Sequence, residues 1–106
     1  MSPKFHHVGV PSATQRPGET HLAAAKLYVT DPEASPYRIE WLRFEPGSPL
    51  PALLRSRPHV AFEVSDLRAA MKGKTVVMEP FAPMPGLEVG FILEDEALVE
   101  LMERTK

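Results

Sequence analysis

Residues 7–10 read HVGV and residues 59–62 read HVAF. Each stretch is a histidine, a valine, a residue with almost no side chain and a further apolar residue. Side chains of a strand alternate between its faces, so Val8 and Val10 lie on one face while His7 and Gly9 lie on the other. The second stretch divides the same way, with Val60, Phe62 and Val64 against His59 and Ala61. A histidine whose neighbour on the same face is glycine or alanine has open space beside its imidazole, which suits a pocket better than a packed core.

The repetition extends to the other end of each half. IEWLR at 39–43 and VELME at 99–103 share the pattern apolar, glutamate, apolar, leucine or methionine, charged. Each half therefore opens with a histidine strand and closes with a glutamate strand. His7 and Glu40 are 33 positions apart and His59 and Glu100 are 41, a difference that loops absorb. Between the halves, RFEPGSPLPALLRSRP at 43–58 carries four prolines and reads as a connection.

The chain has twelve prolines, falling mostly between apolar runs, and they divide it into short strands. The expected strands are Lys4 to Val10, Lys26 to Thr30, Arg38 to Phe44, His59 to Val64, Thr75 to Met78, Val89 to Leu93 and Leu98 to Met102. One helix is expected after EVSD, with Ser65 or Asp66 capping its free amides, Leu67, Ala70 and Met71 on one face, and Gly73 at its end. GETHLAAAK at 18–26 has good helix formers but runs directly into β-branched residues. PFAPMPGLEVG at 80–90 reads as a proline-rich loop, able to act as a lid or a dimer contact.

At 106 residues and 43% hydrophobic content, the chain can bury an ordinary core as one domain. Its net charge of −2, with both signs interspersed, gives no electrostatic footprint for nucleic acid or an anionic membrane. No stretch approaches the roughly 20 apolar residues of a membrane span, and MSPKFHHVGV lacks a signal-peptide core, so a soluble cytoplasmic protein is expected. Without cysteine, any metal must be held by nitrogen and oxygen. His7, Glu40, His59 and Glu100 form such a mixed set, suited to Zn²⁺, Ni²⁺, Co²⁺, Mn²⁺ or Fe²⁺. Glu40 shares its face with Leu42, and Glu100 with Leu98 and Met102, where an unpaired charge is costly and a cation offsets the cost.

The competing reading of each residue is structural: a histidine bonded to backbone at a strand end, or a glutamate that protects a sheet edge. The duplication favours the ligand role for His7 and His59 more strongly than for the two glutamates. His6 falls on the face of Val8 and reads as structural or at the solvent edge, His21 as a surface residue, and Glu63 as a spare carboxylate on the face of His59. Trp41 and Phe62 read as core, and Arg38 as a solvated arginine.

HHVGV, IEWLRF, PHVAFEVSDL and VGFILEDEALVELME resemble the vicinal oxygen chelate superfamily of glyoxalases and bleomycin-resistance proteins over nearly the whole chain. The resemblance implies an α+β fold of two βαβββ modules, about 1–50 and 56–106, forming a cup-shaped, partly open mixed sheet. It places metal ligands on the first and last strands of each module, hence on His7, Glu40, His59 and Glu100, with Glu100 or Glu40 as catalytic base. PSATQRPGETHLAAAK at 11–26 departs from the pattern: it is broken by proline, so the first module is expected to lack a full helix and to be one strand short before Glu40. The implied activity is that of a metal-dependent lyase, isomerase or epimerase on a small oxygenated substrate such as a 2-oxo or hydroxy acid. The implied partners are that substrate and a second copy of the chain in a homodimer. Two alternatives remain: an Fe²⁺ ring-cleaving dioxygenase, against which Glu40 and the shortness of the chain count, and a metal-free protein that sequesters a small molecule.

Overall fold

A computed structural model describes residues 2–105. Its strands are β1 (Lys4–Pro11), β2 (Thr20–Leu22), β3 (Leu27–Val29), β4 (Ile39–Phe44), β5 (His59–Glu63), β6 (Thr75–Met84), β7 (Leu87–Glu94) and β8 (Ala97–Arg104). Two short helices join them, α1 (Ala52–Ser56) and α2 (Leu67–Met71), with single 3-10 turns at Ala23–Ala25 and Pro32–Ala34. All eight strands form one mixed sheet in the order β2-β3-β4-β1-β5-β8-β7-β6. The first-half order outward from β1, namely β4, β3, β2, is matched in the second half outward from β5 by β8, β7, β6. β1 runs parallel to β4 and β5 parallel to β8, while β1 and β5 meet antiparallel at the centre. The sheet curls into a cup.

Alternation decides which side chains enter the cup. Leu42 of β4, Ala61 of β5, Val89 and Phe91 of β7 and Met102 of β8 are buried in its wall, joined by Leu50 and Leu54 from the connecting segment. On the outer face, α2 buries Leu67 and Met71 against Ile92 and Leu101. Asp66 caps α2 through Ala69 N, as the sequence predicts, and Glu103 of β8 accepts a second free amide, Leu67 N, at 2.8 Å. Gly73 follows with φ +78°, a conformation open to glycine at no steric cost.

Two local expectations are corrected, and two segments whose structure the sequence left open are resolved. The strand thought missing before Glu40 is Thr20–Leu22, three residues that hydrogen-bond to β3. Its edge position explains why so short a run with no apolar alternation is strand at all. The segment at 80–90 is no loop: β6 continues through Pro80 and Pro83 to Met84, and only residues 85–86 turn before β7. β6 is an edge strand with register irregularities on either side of Phe81, which is where proline is tolerated in a sheet. The connection at 43–58 contains helix α1, which directs Leu54 into the core. GETHLAAAK forms a strand and a 3-10 turn, ended by Lys26 at φ 52°. Between β1 and β2 the described residues hold no helix, in line with the proline-broken reading. There Arg16 instead lies 3.8 Å over the Trp41 ring on the outer face, so Trp41 is covered by a cation rather than buried in the core.

Leu67 is the largest fully buried side chain, and its truncation leaves a cavity beneath α2. Leu67→Ala is expected to lower stability by about 2–5 kcal/mol in urea unfolding. It lies on the opposite side of the sheet from the histidines, so metal affinity of the folded fraction should be unchanged.

Candidate metal centre

The register of the two central strands explains the small residues in HVGV and HVAF. Gly9 pairs with His59, and His7 pairs with Ala61. Each histidine thus stands opposite the small residue of the other half, so the room beside an imidazole is taken by its counterpart's ring rather than left for a ligand. A Cβ on Gly9 would come within 2.2 Å of the His59 ring. The parallel neighbours complete two rows: Gly9 pairs with Glu40, and Ala61 with Glu100. Glu40 and His59 therefore flank Gly9, while His7 and Glu100 flank Ala61, all on the concave face.

These rows bring the four residues together. One donor atom from each of His7, Glu40, His59 and Glu100 lies within 4.8 Å of the others, so the group could hold a metal ion. His7 Nε2 is 3.3 Å from Glu40 Oε1 and 3.3 Å from Glu100 Oε1, and His59 Nε2 is 3.0 Å from Glu100 Oε1. Despite these distances, His7 Nε2 and both ring nitrogens of His59 lack a partner in hydrogen-bond geometry and are buried. Buried polar atoms in folded proteins are ordinarily satisfied, so the two Nε2 atoms, both facing the carboxylates, call for an occupant. Donors about 2.0–2.2 Å from a shared ion stand roughly 2.8–3.6 Å apart at adjacent corners of an octahedron or tetrahedron. The three imidazole–carboxylate separations fit that spacing, and the nitrogen and oxygen donors fit a divalent ion of the zinc to manganese range.

The electrostatics fit as well. Burial opposes a charge on His7, but Glu100 and Glu40 outweigh it and push its pKa up to about 9. Burial likewise opposes a charge on Glu100, yet His59 and His7 hold its carboxyl well below the usual carboxylate range. Positive charge is thus favoured at the point where the two carboxylates meet. The carboxylates differ: Glu100 is in contact with both imidazoles and is buried, whereas Glu40 approaches only His7 and its side chain is 19% exposed.

His6 is the residue that pattern reading misplaced. Between Phe5, which pairs with Phe62, and His7, which pairs with Ala61, the register shifts, and His6 is the extra residue. This β-bulge turns Phe5 to the outer face, edge-on to Phe62, and leaves His6 lining the cup beside His7. His6 Nδ1 lies 2.8 Å from His7 Nδ1, so one ring donates to the other and orients it. A metal-binding histidine ordinarily has its second ring nitrogen held by a carboxylate, a backbone carbonyl or water, and here the His6 ring takes that place. The HH doublet was the available signal. Arg38, at φ 54°, donates to the His6 carbonyl. Glu63 remains apart from the four donors, held by Arg104 Nε at 3.0 Å. His21 stacks on Tyr28 and reaches Glu45 Oε1 at 2.7 Å on the cup's rim.

The cup around the site encloses about 610 Å³. No protein-family model matches the chain, and no curated protein does. Among solved structures, a hypothetical protein from Bacillus halodurans C-125 matches with a TM-score of 0.72 and 19% identity, over 100% of this chain and 97% of the other. At that identity the likeness concerns the fold. No helix among the described residues is long and apolar enough to cross a membrane.

Gly9→Ala is expected to displace the His59 ring and weaken divalent-ion binding at least tenfold by calorimetry, with the fold retained by circular dichroism. In metal-free protein, the raised pKa of His7 supplies stability that is full below about pH 6.5 and lost as pH rises through about 9. The melting-temperature difference between metal-free wild type and His7→Gln should therefore shrink across that interval. Saturating Zn²⁺ should abolish the shrinkage, because the ion binds the deprotonated ring.

Proposed function

We propose that the chain is a metal-dependent lyase, isomerase or epimerase built from two βαβββ-type modules of the vicinal oxygen chelate kind. His7, Glu40, His59 and Glu100 would hold the ion. The observation that carries this reading is the convergence of those four donors, one from each of β1, β4, β5 and β8, with Nε2 of both His7 and His59 left unbonded. The matching strand orders of the two halves support the modular reading, with the first module lacking its helix. A bound divalent ion supplies Lewis acidity, which polarises a substrate carbonyl and acidifies the adjacent C–H.

The remaining work falls to the protein. His6 orients the His7 ring, and Gly9 and Ala61 keep both imidazoles upright over the centre of the sheet. Glu100, fixed between two imidazoles, serves as a permanent ligand. Glu40, with one imidazole contact and an exposed edge toward the cup, is the better base: its free carboxylate oxygen takes the substrate proton and returns it. Burial of the site limits competition from water. A homodimer is part of this proposal, since β2 and β6 are open sheet edges that a second copy can protect.

Elemental analysis of purified protein should find one divalent ion per chain, lost in His59→Ala. Glu40→Gln should weaken metal affinity less than Glu100→Gln does, while lowering turnover of the metal-saturated protein by about 10²–10⁴. Absence of any ion above background in wild type would remove the proposal.

A metal-free sequestering protein is the second reading, favoured by the size and apolar lining of the cup. Ligand affinity unchanged after chelator treatment and in His59→Ala would establish it instead. The same volume answers the objection that so short a chain lacks room for an aromatic substrate; the fourth ligand, Glu40, still counts against a ring-cleaving dioxygenase.

A further inference from the structure

The four donors occupy one region of a cup whose other walls have a uniform chemistry. Outside the titratable residues, every side chain lining the cup is Leu, Val, Ala, Met, Phe or Pro. No serine, threonine, asparagine, glutamine, tyrosine or tryptophan lines it, so apart from its histidines the walls offer no neutral side chain able to form a hydrogen bond. The volume of about 610 Å³ lies well within the roughly 300–1,000 Å³ of small-molecule pockets. A two- or three-carbon acid would leave most of that apolar surface uncovered.

The charge of the walls away from the four donors disfavours the acid on separate grounds. Asp31, Glu33, Glu40 and Glu100 line the cup, against Arg104 as the sole lysine or arginine among the described lining residues. Arg104 is already engaged by Glu63. A divalent ion at the four donors offsets Glu40 and Glu100, which leaves Asp31 and Glu33 facing one committed guanidinium. A carboxylate or phosphate on the ligand would lose hydration and gain no free cation along the walls.

We propose that the cup takes an uncharged molecule with a substantial apolar body and its polar oxygens gathered at one end, beside His7, Glu40, His59 and Glu100. The orientation rests on the metal-dependent reading above; the apolar, uncharged body does not. Met78, Phe81 and Met84 of β6 form one wall, and unbranched methionines let it fit bodies of different outline.

The test uses neutral straight-chain vicinal diketones of increasing length, and 2-oxo acids of matched length, titrated calorimetrically into Zn²⁺-loaded and chelator-treated protein. Diketone affinity should rise about fourfold per added methylene, in both forms, until the cup is filled. In chelator-treated protein the acids should bind at least tenfold more weakly than diketones of equal length. Met84 is 46% exposed, so Met84→Lys should fold normally, flatten the gain for the longer diketones and strengthen binding of the acids.

A flat response to chain length, or acids preferred in chelator-treated protein, would overturn the proposal even if the ion binds as described. If no ion binds but the response to length persists, the metal-dependent reading fails and this one stands. Diketone affinity that falls as protein concentration rises would mean that a second copy of the chain fills the cup, which also overturns it.

Discussion

The antiparallel pairing of β1 with β5 puts a histidine opposite a residue without bulk, twice, in opposite senses. The site depends on this constraint. Two imidazoles on adjacent strands can stand over the same point only if the positions facing them are nearly empty, and Gly9 and Ala61 supply those positions. The parallel partners β4 and β8 then deliver a glutamate to each row, because register with Gly9 and Ala61 fixes Glu40 and Glu100. One register choice at the centre of the sheet therefore assembles all four donors.

That arrangement stores an electrostatic demand. Two carboxylates and two imidazoles share a wall with aliphatic side chains, where uncompensated charge is expensive. The metal-free chain meets the demand in part by favouring a proton on His7. Its remaining ring nitrogens are unmatched. A divalent cation would satisfy both the charge and the two Nε2 lone pairs, which is why the donor set argues for an ion more strongly than its composition alone.

The two halves solve the problem of the outer sheet face differently. In the second half α2 covers Ile92 and Leu101, and Asp66 and Glu103 together satisfy its first free amides. In the first half the proline-interrupted segment provides Arg16 over Trp41 in place of a helix. The concave face is common to both halves, and it carries the larger buried cluster together with the four candidate donors.

Much of this was present in the sequence. The HVGV and HVAF repeats, the two apolar-glutamate-apolar strands and the capped helix after Val64 are local patterns, and alternation by itself assigns their side chains to faces. The four donors follow from those patterns. Tertiary structure alone decided what the patterns could not encode. The bulge at His6 depends on how β1 matches β5, and it moved one histidine from the outer face into the cup. Thr20–Leu22 became a strand because β3 was there to bond it, and Pro80 and Pro83 were admitted to β6 because it is an edge. The true neighbour of Gly9 is a ring 50 residues away in the chain. Register, edge position and cross-strand contact are properties of pairs of segments, so no single segment carries them.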